Sequence, residues 1–370
     1  MRALFLAAFA CCIATSAAAQ TARPRGVANT GITNVQAYGT DTTAVKAARD
    51  ASSSNLFFPC GTYVINAPVV LSRNNMRLHG HGACSHVMLA AAASWAGRSI
   101  TYAFQATSIS NVEIDHLNFS CPVGRANFGG GPAHILQMIA VTKLSVHDNI
   151  ADGCGDFLAN IGGTDVTAYN NRVTNSDNAC FDNWGGFTDS KVIRNTCSLM
   201  AASGSGVAGI WFTGTNTDGT AATSRRGTAI GNTIYVNTDN QVGIGLNATS
   251  GGVNTGHVVA DNRIIVNAVS VFAILATGAS ECRITHNKIV GIGGVSGAAI
   301  RVARPATNCD VKDNLAVNWA KAGSGVFQYT GTTGTVSGNK CSGTCATLLG
   351  AFPSGVLHSA NDNGAGTGRR

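Results

Sequence analysis

Short apolar runs, each followed by an asparagine and another apolar residue, recur through most of the chain. Two examples are Val192-Ile-Arg-Asn195 and Val311-Lys-Asp-Asn314. The asparagines of the series are Asn118, Asn149, Asn171, Asn195, Asn232, Asn262, Asn287, Asn314 and Asn339. Self-similarity of this kind marks a solenoid whose units bury their apolar faces against neighbouring units. The β-branched runs and the Gly, Asn, Thr and Ser turns favour strands over helices. The pattern therefore predicts an all-β parallel β-helix of about 10 to 12 coils, with about 24 residues in each.

The repeated asparagines have a structural explanation. At the same turn of every coil, an inward-facing amide can donate to one neighbouring coil and accept from the other. We therefore interpret the series from Asn149 to Asn339 as a ladder that satisfies buried turn backbone, rather than as catalytic residues. Most of the 45 glycines fit the same scheme, because glycine allows tight turns with positive φ.

The N-terminus has the features of a secretory signal. Arg2 is the charged start, residues 3–13 are apolar, and Ala17-Ala-Ala19 is a small-residue cleavage site. This apolar run is too short to span a bilayer, and no later segment is longer. We expect a secreted or periplasmic protein, cleaved near Ala19. The remaining division is a flexible start (20–34), one β-helix domain with an N-terminal cap (35–352) and a Gly-rich tail (353–370).

Cysteine usage supports an oxidising compartment. Two of the 12 cysteines lie within the signal, which leaves ten. Cys282 and Cys309 each precede a ladder asparagine by the same number of residues, so they should stack in adjacent coils. The full set of predicted pairs is Cys60–Cys84, Cys121–Cys154, Cys180–Cys197, Cys282–Cys309 and Cys341–Cys345. No convergent spacing of His and Cys indicates a metal site, and His79, His81 and His147 are interpreted as turn or strand residues.

The formal charge of +7 is scattered along the chain, and no nucleic-acid motif is present. The charge is compatible with an ordinary exported basic protein. It is also compatible with a preference for anionic polymers such as uronic-acid polysaccharides. We therefore expect a polysaccharide partner, and neither nucleic acid nor a membrane.

The segment before the repeats carries a family resemblance. Residues 35–50 predict a short helix with Asp41, Thr42 or Thr43 at its N-cap, placed to cover the open end of the solenoid. Phe58-Pro-Cys-Gly-Thr-Tyr63 and Leu78-His-Gly-His-Gly82 follow. Together these motifs resemble the start of the pectin-lyase-like superfamily, and more closely its polygalacturonase-related and pectate lyase 3 branch. The resemblance implies a right-handed parallel β-helix. It leaves the reaction open, because that superfamily includes lyases, hydrolases, epimerases, tailspikes and non-enzymatic adhesins.

One further stretch resembles the active coil of polygalacturonases. Asp177-Asn-Ala-Cys180 precedes a strand, and Arg194-Asn-Thr-Cys197 follows at nearly the spacing of that family. This supports the Cys180–Cys197 pair. The catalytic positions are not carried over, because Asn178 and Ala179 precede Cys180 and no Gly-His-Gly follows Cys197. We expect no polygalacturonase activity through the usual residues.

A second series of strands predicts a functional face. Because side chains alternate along a strand, aligning the turns places seven apolar residues inward: Leu158, Phe181, Ile210, Ile244, Ile274, Ile300 and Phe327. The outward column is then Ala159, Asp182, Trp211, Gly245, Leu275, Arg301 and Gln328, with Trp184 in the next column. Tryptophans beside a carboxylate favour sugar binding, with Arg301 and Gln328 as a distal subsite. The alternative is that a long loop packs over both tryptophans.

Two insertions lie near this face. The step from Asn195 to Asn232 is about a dozen residues longer than a plain coil, and part of the excess lies in residues 213–226. Residues 120–132 form a second insertion, which we expect to stand opposite the first.

Two mechanisms are compatible with these residues. A hydrolase needs two carboxyl groups about 5 to 9.5 Å apart, for which Asp182 with Asp177 is the first pair and Asp156 the reserve partner. A lyase would use Arg225 or Arg226 as base and clamp, with Asp177, Asp182 and Asp218 holding a calcium ion. Aspartates in turns also serve as backbone caps. The sequence favours a secreted enzyme that cleaves glycosidic bonds of a polysaccharide, and the alternative is a non-catalytic binding or adhesin-type protein.

Overall fold

A computed structural model describes most of the chain after the N-terminus. The described residues are 31–52, 54–90, 101–121, 133–199, 207–216, 219–237, 239–248, 251–268, 271–292, 295, 297–319, 326–345, 347–350, 352–359 and 361–362. The predicted signal peptide, nearly all of the insertion at 120–132, Asp218 and the last eight residues lie outside this part.

Three parallel sheets run the length of the molecule, and the chain visits them in a fixed order. The first sheet has 16 strands. Its main path comprises Ile32–Asn34, Asn55–Phe58, Arg77–Gly80, Ser110–Asp115, Thr142–His147, Thr164–Tyr169, Thr188–Ile193, Thr228–Ile230, Val258–Ala260, Arg283–Thr285, Cys309–Lys312, Gly334–Ser337 and Val356–Ser359. Three short strands extend it sideways: Thr223–Arg225, Val253–Thr255 and Ala279–Ser280.

The second sheet has 11 strands, and each follows a strand of the first sheet after a tight turn. They are Gly61–Ile65, Ser85–Leu89, Asn118–Ser120, Ile150–Asp152, Arg172–Ser176, Thr196–Leu199, Thr233–Val236, Arg263–Val266, Lys288–Gly291, Leu315–Val317 and Lys340–Ser342. The third sheet has ten strands. They are Val69–Leu71, Thr101–Thr107, Ala133–Ile139, Asp156–Ile161, Ala179–Trp184, Ala208–Thr213, Val242–Asn247, Phe272–Thr277, Ile300–Ala303 and Phe327–Tyr329. This is the predicted parallel β-helix, with the predicted number of coils.

The asparagine ladder is confirmed at the turn between the first and second sheets. In the middle of the ladder, the Asn195 Nδ2 donates to the Asn232 Oδ1 at 3.1 Å and to the Ala168 carbonyl of the preceding coil at 3.0 Å. The residue before each rung has positive φ, as at Arg194 with 53°. Asn118 is not a rung, because Leu117 occupies that position and donates its N–H to the Asn149 Oδ1. The ladder instead continues past Asn339 to Asn361.

The predicted cap is also present. An α-helix spans Thr42–Ala51, and the Asp41 side chain accepts from the Ala44 N–H at 2.8 Å, so Asp41 is the N-cap. The helix buries Val45 and Ala48 completely against the end of the core. Short 3-10 helices span Val35–Ala37 and Gly82–Cys84.

All five predicted disulfides form, joining Cys60–Cys84, Cys121–Cys154, Cys180–Cys197, Cys282–Cys309 and Cys341–Cys345. Such a set is typical of proteins in oxidising compartments. A separate observation concerns membranes: none of the helices in the described part of the chain has the length and apolarity needed to span one.

A buried histidine makes stability sensitive to acid. The His257 ring stacks on Phe212 at 5.7 Å, and its Nδ1 accepts from the Gly227 N–H at 2.9 Å. Burial lowers the pKa of His257 from 6.5 to about 4. The unfolded chain therefore binds this proton between pH 6.5 and 4 while the folded protein does not. We expect stability to be complete above that window and to fall by about 3 kcal/mol across it.

Urea unfolding at a series of pH values checks this expectation. The His257→Asn variant keeps an acceptor for the Gly227 N–H but carries no titrating group. The variant should therefore be less stable than the wild type near neutral pH, and its stability should change less between pH 6.5 and 4. A slope between pH 6.5 and 4 that equals that of the wild type would contradict the assignment to His257.

Candidate functional site

The outer face of the third sheet has the predicted register. The inward residues from Leu158 to Phe327 are at most 1% exposed. Asp182 lies between Ala159 and Trp211 on neighbouring strands. The column continues through Gly245, Leu275, Arg301 and Gln328. Asp182 and Trp211 are therefore brought together as expected, and Arg301 lies four coils from Asp182, about 19 Å away at ~4.8 Å per coil.

Trp211 lies along the sheet, over the next coil. A side chain at Gly245 would collide with the six-membered ring of Trp211, so only glycine leaves room for this orientation. Gly245 is buried as a result, while Trp211 remains partly exposed. The indole therefore forms a flat apolar patch beside Asp182.

Asp182 is the carboxyl group with the most perturbed chemistry on this face. Burial raises the pKa of Asp182 well above its usual value of 3.8, and the negative charge of Asp156 raises it further. Its side chain nevertheless remains partly exposed. A carboxyl group whose pKa is raised and which still reaches the surface is suited to general-acid chemistry.

Asp156 acts behind Asp182 rather than beside it. Asp156 is fully buried, and its Oδ1 accepts from the Ala179 N–H and from the Asn178 side-chain amide, both at 2.8 Å. Its Oδ2 lies 2.5 Å from the Nδ1 of His134, which is 1% exposed. The reserve partner of the sequence analysis therefore cannot contact a substrate, because its oxygens are enclosed by protein groups. It can only influence Asp182 through its charge.

His134 was missed by the sequence analysis. It pairs with Asp156 at the start of the third-sheet strands, one coil earlier. The alignment of turns began at Leu158 and so did not extend back to this coil. Extending the same register by one strand would have placed a histidine next to the aspartate.

Asp177, the proposed first partner of Asp182, is enclosed by the fold. It is 5% exposed and lies in the turn before the strand Ala179–Trp184. The strand backbone from Ala179 to Asp182 alone spans about 10 Å at roughly 3.3 Å per residue. It is Asp156 whose charge acts on the pKa of Asp182.

Trp184 is on the same face but only partly exposed. It aligns with Ile161 of the preceding coil. Its Nε1 is buried and has no hydrogen-bond partner among the residues that the structure describes. Neighbouring backbone from the insertion is close, because the Thr215 carbonyl accepts from the Gly185 N–H at 2.8 Å. The insertion thus adjoins the edge of Trp184.

Arg301 forms the other end of the column. Its guanidinium carbon stands 5.0 Å from the centre of the Phe272 ring, and its Nε is buried without a hydrogen-bond partner in the described part of the chain. Leu275 and Gln328 flank it and are partly exposed. A partly exposed guanidinium stacked on an aromatic ring matches a carboxylate or sulfate.

The two arginines proposed for a lyase lie elsewhere. Arg225 ends the short strand Thr223–Arg225, which joins the first sheet and aligns with Thr188. Arg226 makes a two-fold ion pair with Asp189, with distances of 2.6 and 2.7 Å. This placement is a correction, because the insertion extends the first sheet. Arg225 lies in that sheet and Arg226 directly follows it, so neither arginine lies on the column of Asp182. Arg226 is engaged as a partner of Asp189.

Of the three aspartates proposed to hold calcium, the structure describes two. Asp177 is enclosed in its turn, and Asp218 lies outside the described residues. Asp182 retains a proton to higher pH than usual, which makes it a poor ligand for Ca²⁺. The only group of three His, Cys, Asp or Glu ligands that the described chain brings together is on the first sheet. The third-sheet donors therefore do not fit the ion that the lyase hypothesis requires.

The face is open on one side of Asp182 only. Toward the N-terminus, the Gln105 Nε2 donates to the Gln137 Oε1 at 2.9 Å. Gln137 is 5% exposed and Ala159 is fully buried. Toward the C-terminus, Trp211, Leu275, Arg301 and Gln328 are all partly exposed. The accessible strip therefore begins at Asp182 and runs toward the C-terminal coils.

Comparison with known proteins supports the fold. No protein-family model matches the chain, and no curated protein matches it by sequence. Among solved structures, DFA-IIIase from Arthrobacter chlorophenolicus A6 without its lid, in complex with GF2, matches with a TM-score of 0.65 at 15% identity, covering 91% of this chain and 95% of that one.

Two further structures are similar. The catalytic unit of the GH87 alpha-1,3-glucanase from Streptomyces thermodiastaticus strain HF3-3 matches with a TM-score of 0.63 at 18% identity, over 94% of this chain and 70% of that one. The A-module of the mannuronan C-5 epimerase AlgE4 from Azotobacter vinelandii matches with a TM-score of 0.54 at 14% identity, over 90% of this chain and 100% of that one. The chain thus has the right-handed parallel β-helix fold that the motifs of its cap predicted.

Proposed function

We propose that the protein is a secreted carbohydrate-active enzyme that cleaves glycosidic bonds of a polysaccharide lying along the third sheet. The observation that carries the proposal is Asp182, a partly exposed carboxyl group with a strongly raised pKa beside two tryptophans. Similarity to structures named as an alpha-1,3-glucanase, a DFA-IIIase and a mannuronan epimerase is compatible with action on carbohydrates.

Asp182 acts as the general acid in this proposal. Cleavage of a glycosidic bond requires a proton on the leaving-group oxygen, and a neutral carboxyl group supplies it. Burial favours the protonated form of Asp182, and the charge of Asp156 behind it opposes the ionisation of Asp182. His134 lies against Asp156 and positions that carboxylate.

The substrate chain runs from Asp182 toward Arg301. Trp211 offers a flat ring to a sugar face, because Gly245 lets the indole lie along the sheet. The strip then continues over Leu275 to Arg301 and Gln328. A guanidinium at the far end favours a polysaccharide that carries carboxylate or sulfate groups.

A panel of acidic and neutral polysaccharides tests the proposal. The mature protein is incubated with each polymer, with and without added calcium, and both reducing ends and the ultraviolet absorbance of unsaturated products are followed. Reducing ends without absorbance would support hydrolysis with Asp182 as acid. A rise in both signals would show β-elimination and would overturn the general-acid assignment. No cleavage of any polymer would favour a binding protein.

A second function is favoured by one observation. Both carboxylates that were proposed to assist Asp182 are enclosed, with Asp156 at 0% and Asp177 at 5% exposure. Neither of these two carboxylates can therefore act as an exposed partner of Asp182 on the accessible strip. A non-catalytic protein could bind carbohydrate through the accessible strip without a second carboxylate. Binding of a polymer in the panel without any cleavage would establish this alternative.

Arg301 provides a prediction for substrate preference. Replacing Arg301 with Leu removes a charge-assisted hydrogen bond, commonly about 1.5 to 3 kcal/mol, so KM for an anionic polymer should rise about 10- to 100-fold. The kcat value and the KM for a neutral polymer should change little. The matched control is Arg283→Leu, which alters an exposed arginine on the first sheet. Equal losses on neutral and anionic polymers would contradict the role of Arg301 in charge recognition.

A further inference from the structure

A cluster of ionisable side chains lies on the outer face of the first sheet, away from the column of Asp182. Asp115 and His147 are neighbours on adjacent strands. His116 follows Asp115 at the turn, in a left-handed conformation with φ of 51°. One ligand atom from each of these three residues lies within 4.8 Å of the other two. Glu113 adds a carboxylate, with its Oε1 3.1 Å from the His147 Nε2.

The distances resemble those between the ligands of a tetrahedral ion. Bonds of about 2.0 to 2.1 Å to nitrogen or oxygen imply ligand atoms about 3.3 Å apart. The His147 Nε2 is 3.1 Å from the Glu113 Oε1 and 3.9 Å from the Asp115 Oδ2, the oxygen that accepts from Arg77. The His116 Nδ1 is 3.8 Å from the Asp115 Oδ1. The His116 side chain is 52% exposed, so it has freedom to close the remaining gap.

A carboxylate oxygen of Asp115 that is buried without a hydrogen-bond donor is a second indication of a ligand. Asp115 is fully buried, and its Oδ2 accepts from the Arg77 guanidinium. Its Oδ1 is buried and has no hydrogen-bond donor in the part of the chain that the structure describes. His79 lies on the other side of Asp115, and its buried Nε2 also lacks a partner there. Such unsatisfied groups are costly unless something binds them.

His147 is already oriented as a metal ligand would be. Its Nδ1 is 2.8 Å from the Asp148 Oδ2, and its ring stacks on Tyr169 at 4.6 Å with an angle of 12°. A carboxylate on one imidazole nitrogen fixes the ring and directs the other nitrogen toward an ion, which is the usual second-shell arrangement at zinc sites.

The net charge of the cluster also favours binding of a cation. Three carboxylates, of Glu113, Asp115 and Asp148, surround the two imidazoles. Arg77 is paired with Glu113 and Asp115, and Asp148 is paired with His147. With neutral histidines, the cluster carries two net negative charges. One divalent ion would balance them.

We propose that this cluster binds a divalent first-row transition metal of the zinc class. The Asp115 Oδ1, His116 Nδ1 and His147 Nε2 are its ligands, and Glu113 completes the set. Two imidazoles with carboxylates suit zinc better than calcium or magnesium, which prefer oxygen alone. The ion joins two successive coils near the cap, so it stabilises their stacking. The sequence analysis predicted no convergent metal ligands because Asp115 and His147 are 32 residues apart and meet only through coil stacking.

Tag-free protein that has been stripped with a chelator tests the proposal. Equilibrium dialysis against zinc measures stoichiometry, the visible spectrum with cobalt reports tetrahedral coordination, and thermal unfolding is followed with and without zinc. We expect one equivalent of zinc, a tetrahedral cobalt spectrum and a rise in the unfolding midpoint. His147→Gln and His116→Asn should abolish all three. Asparagine tolerates the left-handed turn at position 116, so that variant removes only the imidazole.

His286→Asn is the matched control. His286 occupies the equivalent turn three ladder coils beyond Asn195, is exposed, and has its Nε2 3.9 Å from the Asp313 Oδ2. It lacks a second imidazole and a buried carboxylate, so this variant should keep wild-type zinc binding. Zinc binding that survives in both cluster variants would overturn the proposal, as would wild-type protein that binds no zinc. In either case Arg77, Glu113, His147 and Asp148 form only a chain of ion pairs.

Discussion

Replacing Asp182 with asparagine is expected to reduce the cleavage rate by about 10²- to 10⁴-fold, the usual contribution of a general acid. The same change is expected to stabilise the fold at neutral pH, on the order of 1 kcal/mol. Asparagine carries no charge, whereas the raised pKa of Asp182 means that the site disfavours the charged carboxylate. A substitution that lowers activity but raises stability indicates that the native residue is kept for function at a cost in stability.

The stability effect of this substitution should grow with pH. The folded protein keeps the Asp182 proton to higher pH than the unfolded chain, because burial and Asp156 raise the pKa of Asp182 above 3.8. The unfolded state therefore binds fewer protons in that window, and wild-type stability falls as pH rises through it. Urea unfolding of the wild type and the Asp182→Asn variant should diverge above pH 4 and agree below it.

Two further variants separate Asp182 from its neighbours. Asp165→Asn changes an exposed aspartate at φ 56°, where asparagine is tolerated, and should leave the rate unchanged. Asp177→Asn should reduce the rate less than tenfold, because that side chain is enclosed in its turn. If Asp177→Asn were as inactive as Asp182→Asn, the result would support the catalytic pair Asp177 and Asp182 that was predicted from the sequence. If Asp182→Asn remained fully active, the proposed function would fail.

Replacing Asn232 with alanine is expected to destabilise the protein by about 3 to 5 kcal/mol. Asn232 is 1% exposed, and its amide donates to the Val192 carbonyl at 2.8 Å and to the Asn262 Oδ1 at 2.9 Å. Its Oδ1 accepts from the backbone and side chain of Asn195. The substitution leaves several buried groups without partners, at about 1 to 3 kcal/mol each. Urea unfolding measures the loss.

The last rung of the ladder is the matched comparison. Asn361 accepts from the Asn339 N–H at 3.0 Å but is itself only partly buried. Water can replace its hydrogen bonds, so Asn361→Ala should cost about 1 kcal/mol or less. Equal losses at Asn232 and Asn361 would mean that the ladder does not act through burial.

The features that repeat with the coil were predictable from the sequence. A solenoid applies one register to every unit, so a residue five positions before one rung stacks on its equivalent in the next coil. That reasoning paired Cys282 with Cys309 and aligned Asp182 with Trp211 and Arg301. It failed at Asn118, where the apolar Leu117 occupies the rung and the polar residue beside it appeared to continue the series.

The chemistry of individual side chains was decided by the tertiary structure. Whether Asp156 contacts a substrate depends on the Ala179 N–H and on His134, which enclose it from two adjacent coils. Arg226 was lost to the site because the insertion extends the first sheet and places Asp189 within reach.

The sequence by itself therefore determined the fold, the ladder, the cap and the disulfides of this protein, because each depends on a periodic pattern of hydrophobicity and turns. The tertiary structure alone decided the ionisation of Asp182 and the meeting of Asp115 with His147. The pKa of a side chain depends on its burial and on the charges around it, which come from several coils. A local sequence pattern contains no information on those distant neighbours.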